Sequence, residues 1–387
     1  MSTRKIWLTV IGGLALVTVA IGWGVNRYLI DQRIDFASDR LLLLSNLRRE
    51  ALERYFATAE AELSFWATTE ELVSRQLWLN EAWKVVVAAG LDPEARLRQH
   101  YIQQRPLAQA TDIRVEGEYR KDTYFDFHDQ FHPMARKFVD ERGYYDFFLI
   151  SPAGNIHYSV EKEDDFGTNL LTGKYKYTGL AEVFNRALVY AESGDVAISD
   201  MEAYAPSQGA PAMFVAKAMY ASDGALAGVI ALQLPTDKII DIMSFDAGMR
   251  KTGETYLVGD DMLMRSNSRF IEESTILRET VDTATVHRAL NGEYGVEFTD
   301  DYRGIEVLSA YSSTVIDDHT WAVMAEVDKA EILELATSEN PTLAGFMLIF
   351  YSLGLWSVWY IQRANADGEG VAMLGDIDLD GVDIGDA

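Results

Sequence analysis

The sequence predicts an α+β chain in which two antiparallel-sheet units hang from a long N-terminal helix, with a membrane-spanning helix on either side. Three observations carry this. Two long runs, residues 6–25 and 341–361, hold no charged side chain. After the first of them, apolar residues recur every three or four positions, and from residue 144 they change to short apolar runs broken by turns. That second pattern appears twice in the same order: hairpin, helix, three-strand meander. At 387 residues the chain exceeds the usual size of a single core, which fits two folded units with attachments.

The N-terminal run is twenty residues long, and a helix rising about 1.5 Å per residue then crosses a hydrocarbon layer of about 30 Å. Spans are expected over 6–27 and 341–362. Trp356, Trp359 and Tyr360 sit just before Arg363, where an aromatic belt meets lipid headgroups. The alternatives are a cleaved signal peptide for the first run and a buried core helix for the second. The first run exceeds the apolar stretch of about 7–15 residues in a signal peptide, and no A-x-A site follows it. Arg4 and Lys5 precede one span and Arg363 follows the other, so the positive-inside bias places residues 1–5 and 363–387 in the cytoplasm. The segment from about residue 30 to 338 then lies outside, which for a bacterium means a two-pass inner-membrane protein with a periplasmic body. The tail after the second span is short and acidic and too small for a kinase, cyclase or signalling hairpin, so a separate partner protein is expected to carry the response. Asp376, Asp378, Asp380, Gly381 and Asp383 echo the start of a calcium loop, but Ala387 occupies the position of its closing acid, and a solvated tail is the expected reading.

Residues 30–142 form a helical region. Leu41, Leu44, Leu47, Leu52, Tyr55 and Phe56 lie at helical spacing among Arg and Glu, so the first membrane helix is expected to continue outward to about residue 68 as an amphipathic helix. Such a Leu-bearing helix favours a parallel homodimer. A second helix covers about 70–89. Gly90, Leu91, Asp92 and Pro93 stop it and start a short third.

The first sheet unit is expected over 143–245. Its strands are YYDFFLI and IHYSV, joined by Pro152-Ala153-Gly154-Asn155, followed by 196–199, 212–219 and 226–234, with a helix at 179–191. The second unit, 246–338, repeats the order with ETYLVG, MLMRS, a helix near 283–291, VEFTD, RGIEVLSAYSS and HTWAVMAEVD. Sheets of this order with helices on one face are PAS-like, and they leave a pocket between the sheet and the connection after the second strand.

Composition removes several functions. Lys and Arg number 34 against 60 Asp and Glu, a balance of −26 that repels phosphate backbones and excludes nucleic acid as a partner. With 48% apolar residues the chain folds. The absence of cysteine excludes disulfides, thiolate metal sites and cysteine nucleophiles. There is no G-x-S-x-G elbow, and the Gly248 and Gly259 segments lack the phosphate-loop spacing, so no catalytic residue and no cofactor is assigned. His128 and His132 lie four apart on an expected helix, but Asp129 stands where a metalloprotease has its glutamate and Pro133 disturbs the helix. A structural role is expected and no metal site is assigned.

Six blocks resemble one family: HPMARKF at 132–138, GYYDFFLISPAGNIHYSVEKEDDFGTNL at 143–170, YAPSQGAPAMF at 204–214, GETYLVGDDMLMRSNSRF at 253–270, DYRGIEVLSAY at 301–311 and WAVMAEVDKAEI at 321–332. They are similar to the double Cache extracellular sensor of bacterial chemoreceptors, sensor kinases and membrane cyclases. The resemblance implies a two-pass receptor whose membrane-distal unit binds a small molecule and signals through helices crossing the bilayer. The Arg-x-Trp-Tyr cluster of the amino-acid-binding branch is not found here, so the resemblance does not extend to an amino-acid ligand.

For the distal pocket, Tyr158, Lys162, Asp200, Tyr204 and Phe214 are the expected ligand-binding residues. Lysine and aspartate would hold opposite ends of a polar solute, and the aromatic rings would supply apolar wall and hydroxyl donors. The bland reading makes Lys162 part of a solvated charge run and Tyr158 and Phe214 ordinary core. The function expected is a small-molecule sensor; the alternative is an accessory subunit of an envelope complex that keeps the module as a docking surface.

Overall fold

The structure, a computed structural model, describes residues 3–103, 123–190, 193–244, 249–337 and 340–366. The acidic motif at 376–383 lies outside the described residues. The chain divides into two compact units, one made of residues 1–39 and 329–387 and the other of residues 40–328.

Helix α1 (Thr3–Thr68) begins in the first of these units. Helices α8 (Lys329–Thr337) and α9 (Asn340–Ala366) belong to the same unit. Both α1 and α9 carry a stretch long and apolar enough to cross a membrane. Their apolar side chains point outward: Leu16 is 73% exposed, Trp23 70% and Phe346 67%, the opposite of a buried core helix and what lipid contact requires. The two helices touch where small residues let them, since a Cβ added at Gly22 would collide with Met347 and one at Gly354 with Leu14.

Within residues 40–328, α1 ends where Thr68 and Thr69 turn their hydroxyls back onto the carbonyls of Ser64 and Phe65 at 3.0 and 2.8 Å, and Thr69 adopts an extended backbone. Helix α2 (Glu70–Ala88) follows. Helix α3 (Pro93–Arg98) is capped by Asp92, whose side chain accepts from the Ala95 N–H at 3.2 Å, with Pro93 in the first turn. Helix α4 (Thr123–Arg142) runs unbroken through Pro133. The expected disturbance is outweighed because Phe127, Phe131, Ala135 and Val139 recur every four residues and are buried to within 2%.

The first sheet contains β1 (Asp146–Ile150), β2 (Ile156–Ser159), β3 (Ala197–Ile198), β4 (Glu202–Tyr204), β5 (Ala210–Tyr220) and β6 (Leu226–Leu234). Its order is β2-β1-β6-β5-β3, with β4 also on β5 and every pairing antiparallel. Helix α5 (Gly179–Val189) crosses between β2 and β3, and α6 (Thr236–Ser244) follows β6. Successive strand residues point to opposite faces. Phe147, Leu149, Ile230 and Leu232 pack with α1, α2 and α4, whereas Phe148, Ile150, Val229 and Ala231 pack under α5. Helix α2 is pinned to the sheet by Gln76 and Asn80, which donate to the carbonyls of Ile150 (3.3 Å) and Ala227 (2.8 Å). Gly228 permits this approach, since a Cβ there would strike Ile150 and Gln76.

The second sheet is β7 (Glu254–Val258), β8 (Gly295–Asp300), β9 (Glu306–Ile316) and β10 (His319–Asp328), in the order β7-β10-β9-β8, with α7 (Ala284–Leu290) on one face. On the other face Leu257, Trp321 and Val323 join the core that α1 lines, where Phe56 meets Trp321 edge-on at 6.1 Å. The repeated order is thus present. One expected strand is not: MLMRS makes only isolated bridges, because the Met264 N–H bonds to Glu279 while the Arg265 N–H bonds to Leu257, so no continuous ladder forms on either side.

Candidate functional site

Two polar residues of the first sheet, Asp146 and Gln233, face α5. Asp146 opens β1 and stands opposite Gln233 on β6, which stands opposite Phe214 on β5, so the three share one row and one face. The loop after β2 brings Asp165 to the same side. Its Oδ2 accepts from Tyr204 Oη at 2.6 Å, and the Tyr204 ring lies 4.8 Å from that of Phe214. Asp146 Oδ1 accepts three backbone N–H groups, those of Phe147, Val160 and Glu161, at 2.7, 2.6 and 3.1 Å. Gln233 Nε2 donates to Ser207 Oγ at 3.4 Å, and that hydroxyl donates to Glu163.

The other oxygens of this group are left over. Asp146 Oδ2, Asp165 Oδ1 and Gln233 Oε1 are buried and have no hydrogen-bond donor among the described residues. A buried acceptor without a donor is costly, and a buried carboxylate more so. Burial pushes the Asp165 carboxyl up to about 6. Asp146 is raised well above the carboxylate range by burial and then by the charge of Asp165, against the pull of its three N–H donors. The α5 face therefore ends in an acceptor-rich, acidic patch suited to hydrogen-bond donors or positive charge.

The five residues read from the sequence fall in three places. Tyr204 and Phe214 are fully buried on the α5 face beside this patch. Tyr158 is on the opposite face, with its Oη 2.8 Å from His132 Nδ1 on α4. Lys162 is on that side too: its Nζ lies 3.3 Å from His132 Nδ1 and over the rings of Tyr101 and Tyr158, and its carbonyl contacts are to Ser159 and Val160 at 3.2 and 3.3 Å. His128 stacks on His132 at 4.6 Å and is kept neutral by burial and by the Lys162 charge. Asp200 lies at the junction with the second sheet. Lys162 and Asp200 are thus not brought together. Asp146, Asp165 and Gln233 were missed. The signal available for Asp146 was a charge inside the apolar run YYDFFLI, which a two-sided buried strand does not tolerate without a reason.

The family model for the Cache domain, in its double form, matches residues 49–336. The chain belongs to the Cache family. Among solved structures, this Cache chain is similar to the ligand-binding domain of the Campylobacter jejuni chemoreceptor Tlp3 in complex with 4-methylisoleucine, with 13% identity, 79% of this chain and 94% of that one covered, and a TM-score of 0.43. It is also similar to the ligand-binding domain of the Pseudomonas fluorescens chemoreceptor CtaA in complex with L-alanine (15% identity, 72% and 97% covered, TM-score 0.35). A third is that of the Pseudomonas aeruginosa amino acid chemoreceptor PctC in complex with GABA (15%, 65% and 98%, 0.36). No curated protein sequence matches the chain.

The two Cache sheets are tied together by ion pairs between their loops. Asp200, between β3 and β4, accepts from Arg265 Nε (3.1 Å) and Nη2 (2.7 Å), from Trp321 Nε1 (2.8 Å) and from the Met201 N–H (2.7 Å). Burial raises the Asp200 carboxyl, but Arg265 outweighs burial and holds it below the usual value. Arg265 is completed by Asp261 and the Leu263 carbonyl, at 2.9 and 3.0 Å. A second tie joins Asp317, in the β9–β10 turn, to Arg186 of α5, to Tyr190 just past its end and to the Ile198 N–H. Asp317 has φ 55°, a left-handed conformation that Asp tolerates in a tight hairpin. Both ties hold elements that frame the patch: Glu202, two residues past Asp200, accepts from Gly179 N–H at the start of α5.

Gly259 makes the Arg265 contact possible, because a Cβ there would collide with the guanidinium. Gly259→Ala is expected to push Arg265 off Asp200 and cost about 1–3 kcal/mol. Urea unfolding of the detergent-solubilised chain, followed by tryptophan fluorescence, measures this; an unchanged midpoint would show that Arg265 does not occupy this position.

Proposed function

We propose that this Cache protein is a membrane-anchored extracytoplasmic receptor. In this reading the first sheet unit is membrane-distal and binds a small solute on its α5 face through Asp146, Asp165, Gln233 and Tyr204. The buried, donorless oxygens of Asp146 and Asp165 carry the reading: a stable core does not keep two carboxyls in that condition unless something with donors engages them. The solute is therefore one presenting an amine or several hydroxyls. Binding draws the loop that holds Asp165 toward Tyr204 and the sheet, and the Asp200–Arg265 and Asp317–Arg186 ties pass that movement to the second unit. Differential affinity for the two arrangements, typically about 1–3 kcal/mol, is the whole of the available signal. The helices α1 and α9 would carry it across the bilayer to a partner protein, with the chain acting as a homodimer in an inner membrane.

One observation favours a second reading, a docking subunit with a filled pocket. Phe148, Leu180, Phe184, Tyr204 and Phe214 pack the α5 face with no exposed surface between them. Thermal-shift screening of the full chain in detergent against amines, amino acids and polyols separates the two. A receptor gives a concentration-dependent rise with at least one compound, and Asp146→Asn or Asp165→Asn abolishes it. No rise with any compound, together with stoichiometric co-purification of another membrane protein, would establish the docking subunit instead.

A further inference from the structure

The two sheets repeat one cross-strand pairing but differ in what faces its acid. Strand β1 pairs with β6 from Asp146↔Gln233 to Ile150↔Val229, and β7 pairs with β10 in the same register from Glu254↔Glu326 to Val258↔Ala322. Phe148 and Ile150 pack under α5, and their counterparts Tyr256 and Val258 pack under α7. Glu254 therefore corresponds to Asp146, and Glu326 to Gln233. Where the first sheet sets an amide opposite its acid, the second sets another acid.

This second pair is dry and close. Glu254 is 2% exposed and Glu326 1%, and a carboxylate oxygen of one lies within 4.8 Å of one on the other. Two like charges at that distance inside a protein repel strongly. Every element packed around the pair has its charges committed. On β7, the buried Tyr256 hydroxyl bonds to Glu326, and on β9 Ser309 Oγ donates to Glu326 Oε1 at 2.7 Å. The loop after β7 gives Glu254 the Arg269 N–H at 3.3 Å, while the Arg269 guanidinium donates to the Gly253 carbonyl. The β8–β9 turn brings Tyr302, whose hydroxyl donates to Glu254 at 2.9 Å, together with Asp301 and Arg303. Arg303 is matched by two other carboxylates, Asp301 at 2.6 Å and Asp328 on β10 at 2.9 Å. On α7, His287 and Arg288 pair with Asp282 and Glu297 instead. Among the described residues no ion pair reaches Glu254 or Glu326.

We propose that Glu254 and Glu326 hold one proton between them in the folded chain, and that its loss loosens the joint between β7 and β10, making the second unit responsive to pH. A protonated carboxyl offers one donor and one acceptor, so Glu326 does with a proton what Gln233 does with its amide. Tyr256 fits both states, because a phenol donates to a carboxylate and accepts from a carboxylic acid. Burial pushes the Glu326 carboxyl up to about 7 and raises Glu254 as well. Between about pH 5 and 7 the folded chain then holds a proton that the unfolded chain has released, so the pair's contribution to stability falls as pH rises and levels off above that window. Strand β10 runs directly into α8, so the joint that loosens lies next in sequence to the helix that precedes α9. The response needs no solute in the first unit.

The test compares the full chain in detergent with Glu326→Gln by urea unfolding at half-unit steps from about pH 5 to 8. The wild-type unfolding constant should rise relative to the variant's by about tenfold per pH unit up to about pH 7 and stay level above it. Hydrogen exchange, corrected for intrinsic rates, should place the effect: β7 and β10 amides lose protection with rising pH in the wild type only, while β1 and β6 amides behave alike in both proteins. Gln233→Glu, which copies the acid pair into the first sheet, should add a pH dependence there. Infrared spectra of the wild-type chain carrying 13C-labelled glutamate need no substitution and cover a poorly folding variant. A protonated glutamic acid C=O band should persist at about pH 6 and vanish by about pH 8. The proposal is overturned by parallel pH profiles for wild type and Glu326→Gln, or by a difference that appears equally in the first sheet. It is overturned as well by a Gln233→Glu chain that gains no pH dependence, or by the absence of the glutamic acid band at the lower pH.

Discussion

Arg265→Ala is expected to destabilise the chain by about 3–5 kcal/mol, the cost of leaving one member of a buried ion pair without its partner. Arg265 is only 1% exposed, and its guanidinium serves Asp200, Asp261 and the Leu263 carbonyl at once. After truncation Asp200 keeps Trp321 Nε1 and the Met201 N–H, which do not neutralise its charge. The pair itself is worth less than its loss implies, because desolvation offsets much of the attraction. Accordingly the double variant Asp200→Asn with Arg265→Met should recover a substantial part of the stability lost in Arg265→Ala. Urea unfolding of the solubilised chain, monitored at tryptophan, measures both. A single-variant loss under about 1 kcal/mol would mean that the junction does not hold the two sheets together. The same variants matter for function: with this tie cut and only the Asp317–Arg186 tie left, a solute that still raises the midpoint should have a weaker effect on the second unit's hydrogen-exchange protection.

The second large effect concerns pH. Asp165 has its carboxyl raised from 3.8 to about 6 by burial, a difference worth about 3 kcal/mol. Between about pH 4 and 6 the folded chain holds this proton and the unfolded chain does not. The Asp165 contribution to stability therefore falls as pH rises through that window and levels off above it. Asp146 is raised as well, so the wild-type slope should reach or exceed that of one proton, about 1.4 kcal/mol per pH unit. Asp165→Asn should reduce the slope by about one proton and stabilise the solute-free chain at pH 7.5 by about 1–3 kcal/mol, while removing any solute response. Urea titrations at half-unit steps from pH 4 to 7.5 test this. An unchanged slope in the variant would mean that Asp165 is ionised throughout and finds its donors elsewhere.

Much of the architecture was legible because it depends on spacing along the chain. Charge-free runs of span length and three-to-four periodicity are local properties. So are turn residues such as Ala153-Gly154-Asn155 and Ala221-Ser222-Asp223-Gly224, which need only their neighbours to act. The failures were those of competition. Pro133 was read as a disturbance, but four buried residues on one face of α4 outweigh a missing hydrogen bond. MLMRS looked like a strand, but its backbone donors divide between Leu257 and Glu279.

The candidate sites were the least legible part. Tyr158 and Phe214 both sit in strands, yet whether a strand residue faces α4 or α5 depends on register, and a shift of one residue exchanges the faces. Lys162 and Asp200 are both charged near the expected pocket, but one is drawn to His132 and the other to Arg265, partners distant in sequence. The buried acids Glu254, Asp301 and Glu326 come from three strands or turns, so no spacing rule could join them.

What the amino-acid order determined by itself is therefore the class of molecule: an acidic, cysteine-free chain with two apolar helices around a pair of repeated helix-and-sheet units, since each of these is set by short-range periodicity and composition. Only the tertiary structure decided which polar groups lose water together. That depends on strand register and on contacts between residues far apart in the chain, and it is in those shared, poorly solvated places that binding chemistry is built.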